Sequence, residues 1–136
     1  MSAALRLLDD VREDAGAARL AAAVRAGLPV ALVDEVVADG IVTAAELDRL
    51  AISRKTLAHR RGLGTLSPEQ SDRLMRLLRV IAQARETFGG LDKAARWLRR
   101  PSRVLDGAAP LDLLDTDLGA QRVARVLGWI DHGIAA

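Results

Sequence analysis

The chain has 136 residues, half of them hydrophobic, with three aromatic residues and no cysteine; this suits one ordinary domain or two small ones, excludes disulfides and thiolate metal sites, and fits a reducing cytoplasm. Its net charge of +2 hides an asymmetry, −4 over residues 1–51, +9 over residues 52–103 and −3 over residues 104–136, and a basic block in mid-chain points to an acidic partner, nucleic acid first. No apolar run of about 18 residues is present to span a membrane, and acidic residues at Asp9 and Asp10 interrupt the N-terminus too early for a signal peptide.

A core limited to Leu, Val, Ile and Ala, with few β-branched runs and four prolines, predicts an all-α fold. Between Ser2 and Ala26, Leu5, Leu8 and Val11 are spaced for one helix and Leu20 and Val24 for another, closed by Gly27-Leu28-Pro29. The stretch "VALVDEVV" predicts a third helix, ended by Gly40. Thr43 with Glu46 three residues on is the reciprocal pair that satisfies two amide donors at a helix start, and Leu47 and Leu50 follow at helical spacing. A tight turn at Ala51–Ile52 and a capping Ser53 then open a second helix, "RKTLAHRR". This is the layout of a helix-turn-helix, whose second helix offers its N-terminal residues to base edges. Ser53, Arg54, Lys55, Thr56, His59, Arg60 and Arg61 are the candidate DNA contacts, with Leu57 as the inward anchor.

"GLGT" reads as a loop, since no strand precedes it and it lacks the lysine of a phosphate loop. "SPEQ" at Ser67–Gln70 is a second capping box, with proline at the first helical position, and opens a helix to about Phe88 with Leu74, Leu77, Leu78, Ile81 and Phe88 on one side. On its outer face Glu69 precedes Arg73, and Asp72 precedes Arg76, by four residues, the order that favours exposed ion pairs. Gly89 and Gly90 mark the best boundary between two separately folding parts. "LDKAARWLRR" is a short helix stopped by Pro101, with Trp97 closing a small core at the edge of its aliphatic line. A short apolar turn at Leu111–Leu114 follows, and Thr116 caps a last helix, about Asp117 to His132. Val123, Val126, Leu127, Ile130 and Ile134 form its inner stripe; Arg122, Arg125 and Trp129 lie together off that stripe and read as an interface.

Nothing in the chain assembles a catalytic constellation, a metal site or a cofactor site. "DTDLG" fails as a calcium loop because Val126 stands where the bidentate Glu belongs. His59 and His132 are far apart in sequence and lack an evident nucleophile; His132 suits a cation at a helix C-terminus.

The segments "SRKTLAHRR", "LSPEQSDRLMRLLRVIAQARETFG" and "AARWLRRPSRVLDGAAPLDLLDTDLGAQRVARVLGWIDHG" resemble the Xre/ParS/MbcA antitoxins of bacterial type II toxin–antitoxin modules. The likeness covers roughly residues 27–134. Its most specific part is the ordered series Trp97, Leu98, Pro101, Leu105, Gly107, Pro110, Leu111, Leu113, Leu114, Thr116, Gly119, Val123, Leu127 and Gly133, most of them turns, caps and core. The resemblance implies an Xre-like helix-turn-helix at residues 27–88 that binds the module's own promoter. It also implies a domain at residues 89–136 that covers the active site of a RES-domain toxin acting on NAD, in a homodimeric complex in the cytoplasm. The expected toxin contacts are Trp97, Arg100, Arg122, Arg125, Trp129, His132, Gly133 and Ile134. The sequence departs from the family at Lys55, usually Arg, and at Ala58, near which Gln or Arg is usual, so base readout is expected to differ; residues 1–26 carry none of the resemblance. A helix-turn-helix regulator whose C-terminal helices serve dimerisation is the alternative, and a small enzyme is disfavoured by the missing constellation.

Overall fold

A computed structural model describes residues 1–133. Among these residues eight helices form: α1 (Ala3–Asp10), α2 (Asp14–Ala26), α3 (Val30–Ala38), α4 (Ala44–Leu50), α5 (Arg54–Arg61), α6 (Pro68–Phe88), α7 (Leu91–Leu98) and α8 (Asp117–Asp131), with 3₁₀ turns at Arg103–Leu105 and Pro110–Asp115. Among the described residues no strand forms beyond one bridge between Pro29 and Thr65, and no helix is long and apolar enough to cross a membrane. The fold is all-α, as the composition predicts.

The start signals act where the sequence places them. The Thr43 hydroxyl accepts from the Glu46 amide at 3.1 Å while Glu46 accepts from the Thr43 amide at 2.9 Å; Ser67 and Gln70 do the same at 3.1 and 2.8 Å. Each pair satisfies two donors that a helix start leaves without intrahelical partners. Gly89, at φ 77°, ends α6 in the left-handed conformation that lacks a penalty only for glycine.

Helix α6 is the axis of the molecule. It runs 21 residues, about 31 Å, and is buried over more of its circumference than the single stripe the sequence suggests. Met75, Val80, Ala82 and Ala84 are buried along with Leu74, Leu77, Leu78 and Ile81. The reason is that α6 is packed by α1 and α2 as well as by α7 and α8. Ser71 is fully buried, and its hydroxyl accepts from the Leu28 amide at 2.8 Å, tying the α2–α3 turn to α6.

One expectation is corrected: among the described residues neither Glu69–Arg73 nor Asp72–Arg76 forms an ion pair, and Arg76 instead donates to the Asp115 carbonyl at 3.1 Å, because α6 packs against the turn that contains Asp115. The apolar core is continuous across Gly89–Gly90. One cluster runs from Ala4 and Leu8 of α1, through the helix-turn-helix and α6, to Leu98, Leu114 and Leu127. The glycines turn the chain, while α6 supplies a wall to both sides. Helix α1, to which the sequence assigns no role, is part of this core: Ala4 and Leu8 are fully buried, the Ala4 amide donates to Glu35 at 3.1 Å, and Arg12 and Asp9 pair with Glu86 and Arg85 of α6.

Candidate functional site

Two exposed surfaces gather the residues singled out by the sequence. The first is built by α3, α4 and α5. Leu47 and Leu50 bury one side of α4, and the turn at Ala51–Ile52 is buried with them, which sets the angle at which α5 departs. Ser53 caps α5, its hydroxyl accepting from the Thr56 amide at 3.2 Å and donating to the Thr56 hydroxyl at 2.9 Å. Asp48 of α4 accepts from the Arg54 amide at 2.6 Å. A carboxylate and a hydroxyl thus hold the first turn of α5, the turn that a recognition helix presents.

No residue of α5 is fully buried; Leu57 is half-buried against the core. The helix is therefore held largely by polar ties. Arg61 forks onto Asp34 of α3 with bonds of 3.0 and 2.8 Å. This pair holds the Asp34 carboxyl below the usual carboxylate range and raises the Arg61 guanidinium. Arg60 donates from Nε to the Thr65 carbonyl at 2.8 Å. Of the cations expected at DNA, these two are engaged within the chain. Arg54, Lys55 and His59 are exposed and form no ion pair among the described residues.

The second surface lies on α7 and α8. Thr116 caps α8 through the Gly119 amide at 3.0 Å, and Val123, Val126 and Leu127 are buried with Ile130 packed beside them. Gln83 of α6 donates to the Ala124 carbonyl at 2.9 Å and fixes the helix along its length. The opposite side bears Arg122, Arg125 and Trp129, the last 38% exposed. Arg122 is tied back to Asp106 at 2.9 Å and to the Val104 carbonyl at 3.0 Å, whereas Arg125 forms no ion pair among the described residues. His132 and Gly133 are exposed beyond the helix end, and Ile134 lies outside the described residues. Trp97, on α7, is half-buried against the core and packs at a 40° tilt on Phe88 of α6, ring centres 5.3 Å apart. Arg100 is exposed just past α7.

Two ion pairs join the surfaces. Arg99 at the end of α7 forks onto Glu46 of α4 at 2.8 and 2.7 Å, and Arg49 of α4 pairs with Asp112 at 2.5 Å. Burial alone would push the Glu46 carboxyl up, but the Arg99 bonds and the Thr43 amide together outweigh it and leave it below its ordinary value. Sequence reasoning missed both pairs, which link positions 53 and 63 residues apart and carry no local signal.

Residues 19–79 match the Antitoxin Xre-like helix-turn-helix domain, and residues 83–133 match the Antitoxin Xre/MbcA/ParS C-terminal toxin-binding domain. The chain belongs to the Xre antitoxin family. It is 36% identical over 113 residues to an Antitoxin Xre of Photorhabdus laumondii, covering 81% of this chain and 76% of the relative. An Antitoxin Xre of Yersinia enterocolitica is 32% identical over 114 residues, covering 82% and 77%. A Prs ADP-ribosylating antitoxin of Sphingobium sp. is 34% identical over 80 residues, about half of each chain. In this Xre antitoxin the helix-turn-helix match begins at Arg19, inside α2. Its toxin-binding match begins at Gln83, inside α6, in keeping with a helix that serves both halves.

Proposed function

We propose that this Xre antitoxin silences a RES-type toxin by seating the exposed edge and end of α8 in the toxin's active-site cleft, and that a homodimer of it represses its own promoter through α5. The observation that carries the reading is Trp129. It is an exposed tryptophan near the end of a helix whose opposite face is buried, so it projects from a fixed base. A rigid protruding aromatic with a free arginine one turn away is the composition of an interface hot spot. A cleft that holds NAD is concave, and occlusion of it calls for such a protrusion rather than a flat surface. The name of the Sphingobium relative supports a toxin that uses NAD, since ADP-ribosyl transfer consumes it. The chain acts by binding, in the cytoplasm, and no catalytic role is assigned to it.

Two copies would present two α5 helices to half-sites about one turn of duplex apart. On each, Arg54, Lys55 and His59 are the side chains free to meet DNA, beside Ser53 and Thr56, whose bonds to each other cap the helix.

The test is neutralisation in cells expressing the toxin. Trp129→Ala with Arg125→Ala is expected to lose protection while helix content and promoter binding stay at wild-type level, the tryptophan alone weakening the complex by about 2 kcal/mol or more. Full protection by the double variant would place the interface away from α8.

A further inference from the structure

We infer that α7 carries a second contact to the DNA backbone, a row of cations that extends the helix-turn-helix footprint onto the toxin-binding half; this rests on the reading of α5 as the DNA-contacting helix. Lys93 and Arg96, three residues apart, are exposed on the side of α7 opposite the buried Ala94 and Leu98, and Arg100 is exposed in the bend just past the helix end. Among the described residues none of them forms an ion pair. From Lys93 to Arg96 the helical rise is about 4.5 Å, close to one phosphate step of about 3.4 Å along a strand, and Arg100 extends the row past the helix end.

The position of the row selects the partner. Its neighbour Arg99 forks onto Glu46 in the first turn of α4, and Leu91, Asp92 and Ala95 line a small pocket with Asp39, Gly40 and Ile41 of the loop that leads into α4. The row is thereby fixed beside the first helix of the motif, the helix that crosses the DNA backbone when the second enters the major groove. Of the carboxylates of α4 and the neighbouring 3₁₀ turn, which would repel phosphate, three are engaged: Glu46 by Arg99, Asp48 by the Arg54 amide, and Asp112 by Arg49; Asp115, and Asp92 beside Lys93, are exposed. A rigid cationic strip at the edge of a DNA-binding surface, with those three acids engaged, fits phosphate. Arg100 is accordingly reassigned from the toxin contacts to this strip.

The experiment measures affinity of the full chain for a duplex spanning the region upstream of its own reading frame, as a function of salt. Lys93→Gln with Arg96→Gln and Arg100→Gln is expected to flatten the slope of log affinity against log salt by about 2 to 3, at about 0.9 for each phosphate no longer neutralised. The charge-retaining variant Arg96→Lys with Arg100→Lys should keep most of the slope, because phosphate neutralisation needs charge rather than the guanidinium fork. Melting temperature and helix content, measured alongside, should match wild type for both variants. A glutamine variant with the wild-type slope overturns the inference, and if it also loses toxin neutralisation the row serves an acidic protein surface instead. Arg54→Ala with Lys55→Ala tests the underlying reading separately. If that variant binds DNA as wild type does, α5 is not the recognition helix and the inference falls with it; if it loses binding while the glutamine variant does not, only the strip fails.

Discussion

A Cβ built on Gly119 would lie 1.9 Å from the carbonyl oxygen of Leu113, a backbone atom that cannot rotate away. The first turn of α8 therefore rests directly on the 3₁₀ turn before it. Gly119→Ala is expected to destabilise the fold by about 2–3 kcal/mol, read as a lowered melting temperature. Gly128 is the internal control: it sits in the same helix with no atom within 4 Å of its Cβ position, so Gly128→Ala should be neutral or stabilising by up to about 1 kcal/mol. Equal losses from both would remove the close approach as the cause. The sequence identifies Gly119 as part of a family pattern, but its reason is invisible there, because the clash depends on where the Leu113 carbonyl comes to lie. The same holds for Arg76, whose local partner Asp72 is legible at four residues' distance while its actual acceptor, the Asp115 carbonyl, is not.

Helices are legible wherever their ends carry side-chain chemistry. Thr43, Ser53, Ser67 and Thr116 each cap the helix that follows. What holds those helices to one another is less so, and α5 illustrates why: without a buried stripe there is no period to read, and its pair with Asp34 spans 27 residues. This gives its two kinds of arginine different expected effects. Arg54→Ala should lower DNA affinity and flatten its salt slope by about one. Arg61→Ala should lower affinity with the slope nearly unchanged, because its charge is already met by Asp34 and its part is to orient the helix. A slope lowered equally by both substitutions would place Arg61 at phosphate. Helices α4 and α7 are joined similarly through Glu46 and Arg99, with the Glu46 side chain only 13% exposed. Glu46 titrates lower in the folded chain than its ordinary value, so the pair contributes fully above that value, about pH 4.3, and its contribution is lost as pH falls through the lowered folded value. Glu46→Gln keeps an acceptor for the Thr43 amide and removes the charge. The stability difference between wild type and this variant should be constant above about pH 5.5 and shrink below about pH 4; a gap that widens on acidification would contradict the pair.

At the scale of the molecule, the charge blocks of the sequence are partly spent inside it. Arg61, Arg85 and Arg99 from the basic block pair with Asp34, Asp9 and Glu46 from the acidic one, so the blocks mark an internal electrostatic join as well as an external surface. Composition reveals the asymmetry without revealing which charges meet. The division at Gly89–Gly90 has the same ambiguity: two apolar stripes flank it in sequence, but α7 and α8 bury theirs against α6, and the toxin-binding match itself begins at Gln83. A fragment from Gly90 to Ala136 would expose Ala94, Leu98, Val123, Val126 and Leu127 with no wall to cover them, and at under 50 residues it has little core of its own. It is expected to show weak helicity and no cooperative melt, and to gain structure only on the toxin. A fragment from Leu66 to Ala136, which restores the capping box and all of α6, should melt cooperatively and neutralise toxin without binding promoter. A cooperative melt from the shorter fragment would mean that α7 and α8 make a core by themselves and that α6 belongs to the DNA-binding half alone.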